Sequence, residues 1–471
     1  MKNWGQSCKG FSMISDENKI LSFIFFSALL LRLVCLIPFY GGDLNIVDEQ
    51  HYSAIAVTLV DHGIYGMNEE QPTAIRPPLY PFLISFVYKA TNMFAPDHIR
   101  AIQMIISLVS GIFLYRIFKK LFDHKSAYFG LILFLFYPSL LFFNYLVLTE
   151  TIFIFLLILF FYFVMLSLEH GKAVFVIAAG FCIGLTSLTR SITYPMAIPL
   201  AALICFLSLK KYRLKAFLNM ALFLLIFFIT LIPWSVRNYR LLDAFIPVDT
   251  MGGLNLYMGN YEHTPLHNSW ASVEVKGEKA WYRGHESELK GMNEAQKQKW
   301  AIQKAKEYVM ENPGITLHRS IVKFANFWGI ERTIIAGIER GYFQAFTASD
   351  FRYLIYGIIL LGYGVVILSG ATGLCLKLFS APASFHTVFF LMLLGFSGMH
   401  AVTFGHSRYH LPLIPILCGY AGWLMVNMKN LAREKKTLLG ITGSLVLILF
   451  VTIWSYELFI GSADKIQAIL K

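Results

Sequence analysis

Charged residues make up only 14% of this 471-residue chain, against about a quarter in soluble domains. With 56% hydrophobic and 16% aromatic residues, that scarcity excludes an ordinary soluble enzyme and reads as a polytopic membrane protein. There is no GxGxxG stretch and no glycine-rich loop ending in Gly-Lys-Ser/Thr, which excludes the familiar phosphate-cradling nucleotide loops. The six cysteines, Cys8, Cys35, Cys182, Cys205, Cys375 and Cys418, form no CxxC pair. No His/Cys cluster has zinc-ligand spacing, so they read as packing residues. Asn-x-Ser/Thr sites are absent too, which agrees with a bacterial inner membrane. The net charge of +12 sits in short linkers between apolar runs, where membrane orientation rather than nucleic-acid binding accounts for it.

What is present is a succession of apolar runs. A helix needs about 20 apolar residues to cross a hydrocarbon core of roughly 30 Å. On that basis about eleven spans are predicted, near 20–38, 99–117, 126–143, 151–168, 173–189, 192–209, 215–235, 353–376, 386–404, 410–427 and 437–459. The first follows a head bearing Lys2, Lys9 and Lys19 and lacks a small-residue cleavage site, so it is expected to remain as an anchor. The segment Leu79 to Phe94 is short, begins in prolines and carries Lys89. Leaving it out of the spans puts Arg116, Lys119, Lys120 and Lys125 on the same side as Lys210, Lys211, Arg213 and Lys215. Lys172, Lys377, Lys429, Arg433, Lys435 and Lys436 then join them, as the positive-inside rule requires. The expected topology therefore has a cytoplasmic N-terminus, an outer C-terminus and an interfacial helix at 79–94. The expected fold class is all-α integral membrane protein. Its expected parts are an N-terminal module at 1–237 with a first outer loop at 39–98, a small helical extracytoplasmic domain at 238–351, and a C-terminal module at 352–471.

This topology gathers polar residues on one face. They are Asp48-Glu49, Arg76-Pro77-Pro78, Glu150, Arg190, Arg237 and Arg408, four of them arginines at span or helix ends where the charge rule disfavours arginine. Singly, each has a plainer explanation: a carboxylate at a helix start, a snorkelling arginine, a local ion pair. Together in one layer they point to a phosphate-bearing ligand held at the membrane surface. Asp48 supplies a base for an acceptor and the arginines supply positive partners for the phosphate. Within the spans Arg32 is the clear charge. An ion-coupled transporter would show acids or broken helices near the midplane, so a transporter or lipid-linked-sugar flippase stands as the alternative. The segment Phe245 to Asn260, with Gly252, Gly253 and Gly259, suggests tight turns near a ligand. Helices are predicted at Glu294 to Met310 and Ile315 to Trp328.

The motifs Asp48-Glu49-Gln-His-Tyr52, Arg76-Pro77-Pro78-Leu79-Tyr80-Pro81, Leu148-Thr149-Glu150, Pro233 to Tyr239, Asn255 to Asn260 and Ser407-Arg408-Tyr409-His410-Leu411-Pro412 resemble those of the polytopic C-type glycosyltransferases that use polyprenyl-phosphate sugars. That group includes the dolichyl-phosphate-mannose protein mannosyltransferases and the bacterial aminoarabinose transferases that modify lipid A. The resemblance implies an inverting glycosyltransferase with a polyprenyl-phosphate donor, a glycolipid, glycan or protein acceptor, and an active site on the outer face of the inner membrane. It implies Asp48 as catalytic base with Glu49 and Glu150 beside it, and Arg76 and Arg237 on the donor phosphate with Arg190 and Arg408 as further candidates. Tyr52, Tyr80, Asn255, Asn260, His406 and Tyr409 would line the substrates. Arg76 stands where the protein mannosyltransferases have histidine, and their large carbohydrate-sensing insertion is absent, which draws the chain toward the bacterial branch. The leaving phosphate needs no strong acid, so one carboxylate with several arginines is a sufficient inventory. No cofactor is expected, although Asp48, Glu49 and Glu150 together would suit one hard cation.

Overall fold

The computed structural model describes residues 4–273, 275–343, 351–381, 384–431 and 433–461. Among them the chain is helical throughout, apart from turns and one isolated bridge between Gly66 and Pro72. Nine helices among the described residues are long and apolar enough to cross a membrane: Glu17–Phe39, Pro96–Leu121, Glu150–His170, Ser191–Tyr212, Leu214–Leu242, Phe351–Ser380, Phe385–Val402, Ser407–Asn430 and Arg433–Gly461. The protein is a multi-pass membrane protein of the all-α class.

Two of the eleven expected spans take another form. Ala173–Thr189 is an apolar helix of 17 residues, a little short by the same criterion. The expected span at 126–143 is broken into His124–Leu135 and Pro138–Phe143. The cause is Pro138, which has no N–H to donate and pushes Tyr137 out of the helical region, to φ −66° and ψ 119°. Twelve helical residues reach only about 18 Å. Leu79–Thr91 is a separate 13-residue helix that starts behind Pro78 and stops at Asn92 in the left-handed region, with φ 54°. It is too short to count among the nine.

Small residues let the backbones close up. Gly130 and Gly419 bring His124–Leu135 against Ile414–Asn427, so that a Cβ on Gly130 would stand 3.0 Å from the Gly419 Cα. Gly370 and Gly373 meet the backbone of Leu417 and Tyr420 in the same way. Arg32, the charge inside a span, is buried and hydrogen-bonded through Nε and Nη1. Its Nε donates to Ser107 Oγ at 2.9 Å and its Nη1 to the carbonyls of Ala28 and Leu135 at 3.1 Å each. It ties three helices together by satisfying polar groups that lipid could not.

Residues 238–343 form the helices Met251–Met258, Glu286–Leu289, Glu294–Glu311, Pro313–Phe327 and Thr333–Glu339 with short connecting turns. Glu294–Glu311 begins with a reciprocal cap between Asn293 and Gln296. The Glu294 carboxylate reaches the first loop, accepting from Thr73 Oγ1 at 2.5 Å and from the Ala74 N–H at 2.8 Å.

Candidate active site

Asp48 lies in the first turn of the helix Val47–His62, where the helix dipole favours a negative charge. The loop that follows the helix is held rigidly. Tyr65 Oη donates to the carbonyls of Arg76 and Pro77, both at 3.1 Å, and Pro77 and Pro78 restrict the backbone further. Arg76 is thereby aimed back at Asp48. Its Nη2 donates to Asp48 Oδ1 at 2.6 Å and stands 3.0 Å from His51 Nδ1, with the guanidinium over the Tyr52 ring at 5.4 Å.

The second side of Asp48 is closed from the far end of the chain. Arg408 Nη1 lies 3.3 Å from Asp48 Oδ2, while its Nε donates to Glu150 Oε1 at 2.5 Å. Arg190 Nη1 approaches the same Glu150 oxygen at 3.2 Å, and its guanidinium lies over Tyr409 at 5.3 Å. Three guanidiniums therefore interleave with two carboxylates. The carboxylates are not equivalent: the Asp48 side chain is 29% exposed and that of Glu150 0%. Asp48 is open to a reactant; Glu150 orients arginines from beneath. Burial alone would raise the Asp48 carboxyl, but Arg408, Arg76 and Arg190 overcome it and hold the group below the usual carboxylate value.

Beside this layer lies a cavity of about 520 Å³. Asp48, Tyr52, Arg76, Arg190, Arg408, Tyr409 and Asn255 all line it, so seven of the candidates converge, with Glu150 directly behind them.

The other candidates stand elsewhere, for physical reasons. Arg237 does not line the cavity. It donates to the carbonyls of Thr73 at 2.6 Å and Tyr65 at 2.9 Å and lies over Trp234 at 4.7 Å, splinting the loop that carries Arg76. Glu49 is buried and spent on backbone N–H groups, those of Val147 at 2.7 Å and Ile46 at 3.1 Å. Tyr80 is buried with its hydroxyl donating to Gln103 Oε1 at 2.7 Å. Asn260 bonds the carbonyls of Leu256 and Val402 and accepts from Lys323 Nζ at 2.8 Å. His406 Nδ1 accepts from the Arg408 N–H at 3.1 Å, shaping the turn rather than facing the cavity.

Two lining residues escaped the sequence reading. Asp249 sits just before the helix Met251–Met258, with Oδ1 accepting from the Met251 N–H at 2.9 Å; Gly252 and Gly253 lie in the first turn of that helix and not in the tight turns expected of them. Burial raises its carboxyl above the usual value. The glycine-rich stretch that follows was the available signal. His400, one of two histidines in the apolar helix Phe385–Val402, also lines the cavity; its signal was polarity within a span.

With Glu49 committed to N–H groups and Asp48 and Glu150 to arginines, the three carboxylates do not converge as a cation site. Among the described residues no group of three or more His, Cys, Asp or Glu side chains is placed to hold a metal ion.

The multi-pass helical frame is similar in fold to a solved membrane-bound oligosaccharyltransferase. Residues 75–236 match the family model described as dolichyl-phosphate-mannose-protein mannosyltransferase. The oligosaccharyltransferase of Archaeoglobus fulgidus in its apo form superposes with a TM-score of 0.53 at 12% identity, over 92% of this chain and 54% of that one. Its complex with Zn and sulfate gives 0.52 at 13%, over 91% and 51%. The chain thus spans about half the length of these archaeal structures. ArnT from Cupriavidus metallidurans bound to undecaprenyl phosphate gives 0.43 at 15%, over 85% and 77%. No curated protein matches the sequence.

Proposed function

We propose that the protein is an inverting glycosyltransferase that moves a sugar from a polyprenyl-phosphate donor to a hydroxyl of a glycolipid, glycan or protein acceptor at the outer face of the membrane. The observation that carries the reading is the open Asp48 carboxylate gripped by Arg76 and Arg408 at the wall of a cavity that Arg190 also lines. In this reaction the acceptor oxygen bonds to the anomeric carbon as the bond from that carbon to the phosphate oxygen breaks. The phosphate leaves with the bonding electrons, and the acceptor proton passes to Asp48. The leaving phosphate gains charge in the transition state, and fixed guanidiniums are the groups that stabilise it. Arg76, Arg190 and Arg408 are assigned that role. Arg237 acts through the loop it braces. Orientation rests on the lysine-rich linkers, which belong in the cytoplasm.

The reaction is proposed to need no metal, because the carboxylates that would bind one are already satisfied by arginines and N–H groups. The test is transfer from purified polyprenyl-phosphate sugars by the protein in lipid nanodiscs, before and after chelation with EDTA. Wild-type transfer should survive chelation, and Asp48→Asn should reduce turnover by about 10²-fold to 10⁴-fold, the range for a positioned base. Full turnover of Asp48→Asn sinks the assignment of the base.

A further inference from the structure

His400 is the imidazole of the cavity wall, and its surroundings leave it one polar atom to offer. Nδ1 lies 3.0 Å from the Phe404 carbonyl, which can only accept, so the ring nitrogen there is the donor. The ring is stacked on Tyr409 at 4.4 Å with an interplanar angle of 10°, and on Phe327 at 5.1 Å with 22°. With Nδ1 committed and the ring held by two aromatic neighbours, Nε2 is the polar atom left to His400, a residue of the cavity wall. In the neutral ring that nitrogen carries a lone pair and no proton, an acceptor awaiting a donor.

A histidine serving only packing looks different, and the same molecule contains one. His410 is buried with both nitrogens engaged, Nδ1 at 2.7 Å from the Phe327 carbonyl and Nε2 at 3.1 Å from Glu331. His400 is positioned with equal care but left half-used.

The cavity has both kinds of partner on its wall. The guanidiniums of Arg76, Arg190 and Arg408 are donors only, and His400, Asp249 and Asn255, which line the same cavity, offer acceptor atoms. A ligand meeting both needs an anionic group for the first set and hydroxyls, which donate, for the second. A sugar phosphodiester is such a ligand. We propose that Nε2 of His400 accepts a hydrogen bond from a ring hydroxyl of the transferred sugar and is a specificity-determining contact for the donor. The proposal rests on the transferase reading and deepens it. A site built to pair a hydroxyl discriminates against a sugar lacking or inverting it, because the acceptor is then left buried and unpaired.

The test compares binding of bare undecaprenyl phosphate with binding of short-chain polyprenyl phosphates carrying glucose, mannose, galactose, N-acetylglucosamine or arabinose, using the full-length protein in nanodiscs. Wild type should prefer at least one sugar-bearing lipid over the bare phosphate. His400→Phe, which keeps a ring for Tyr409 and Phe327 to stack on, should weaken that preferred lipid roughly 10-fold and leave the bare phosphate unchanged. His400→Gln, whose side-chain oxygen reaches near the lost Nε2, should restore part of the preference. The proposal is overturned if His400→Phe keeps the wild-type preference, if it weakens both lipids equally, or if wild type prefers none of the sugars. Failure of wild type to bind even bare undecaprenyl phosphate would overturn the transferase reading, and this inference with it.

Discussion

Asp48 carries its charge at any pH near neutrality, because Arg408, Arg76 and Arg190 outweigh the cost of its burial. A carboxyl whose folded pKa is depressed contributes stability that is present above its unfolded value of about 3.9 and is lost as the pH falls through the folded value. The acid limb of activity due to Asp48 should therefore fall below about pH 3.9; a limb near pH 6 that disappears in Asp48→Asn would show that the arginines do not act as described. Glu150 is fully buried and shared by Arg190 and Arg408, so removing an arginine harms more than ligand binding. Arg408→Ala leaves Glu150 with one partner and Asp48 with one, and should cost on the order of 3 kcal/mol of stability as well as donor affinity. Arg190→Ala should chiefly weaken bare undecaprenyl phosphate binding, by roughly 10-fold or more. Thermal unfolding and lipid titration of the two variants separate the effects, and equal stability loss in both would contradict the distinction.

Among elements, the loop at 63–78 matters most. Gly63 ends the helix Val47–His62 in the left-handed region, with φ 70°, a position glycine tolerates without strain. Beyond it, Arg237 donates into the loop at Tyr65 and Thr73. Arg237→Ala should accordingly speed hydrogen exchange across residues 65–76 and lower turnover, whereas a direct phosphate ligand would alter lipid binding with exchange unchanged. Here the limits of the sequence become physical. Hydropathy and proline placement revealed the long helices, the separate Leu79 helix and the Asp48–Arg76 loop, because those depend on local chemistry. Whether Arg237 faces a ligand or a neighbouring carbonyl depends on rotation at the end of a 29-residue helix, and an error of one residue there turns a side chain by about 100°. Tyr80 and Asn260 fell inside motifs yet are consumed by Gln103 and Lys323, partners more than twenty positions away. His400 escaped because one imidazole in an apolar run has the pattern of a packed residue until its neighbours are known.

At the scale of the whole molecule the arrangement in the membrane is the quantity to measure. Reporter fusions after Lys125 and Lys215 should both report the cytoplasm if the interfacial placement of the Leu79 helix is right. An outer-face signal from either would detach the cavity from the side assigned to it. The partner that completes the layer has a history of its own. Arg408 closes on Asp48 across 360 positions of sequence. A ribosome releases the chain from its N-terminus, so Asp48, Arg76, Glu150 and Arg190 all enter the bilayer while Arg408 is still untranslated. At that stage the layer holds two guanidiniums against two carboxylates, and Asp48 still lacks its second partner. Both carboxylates of the layer thus gain the arginine they share only with the last quarter of the protein.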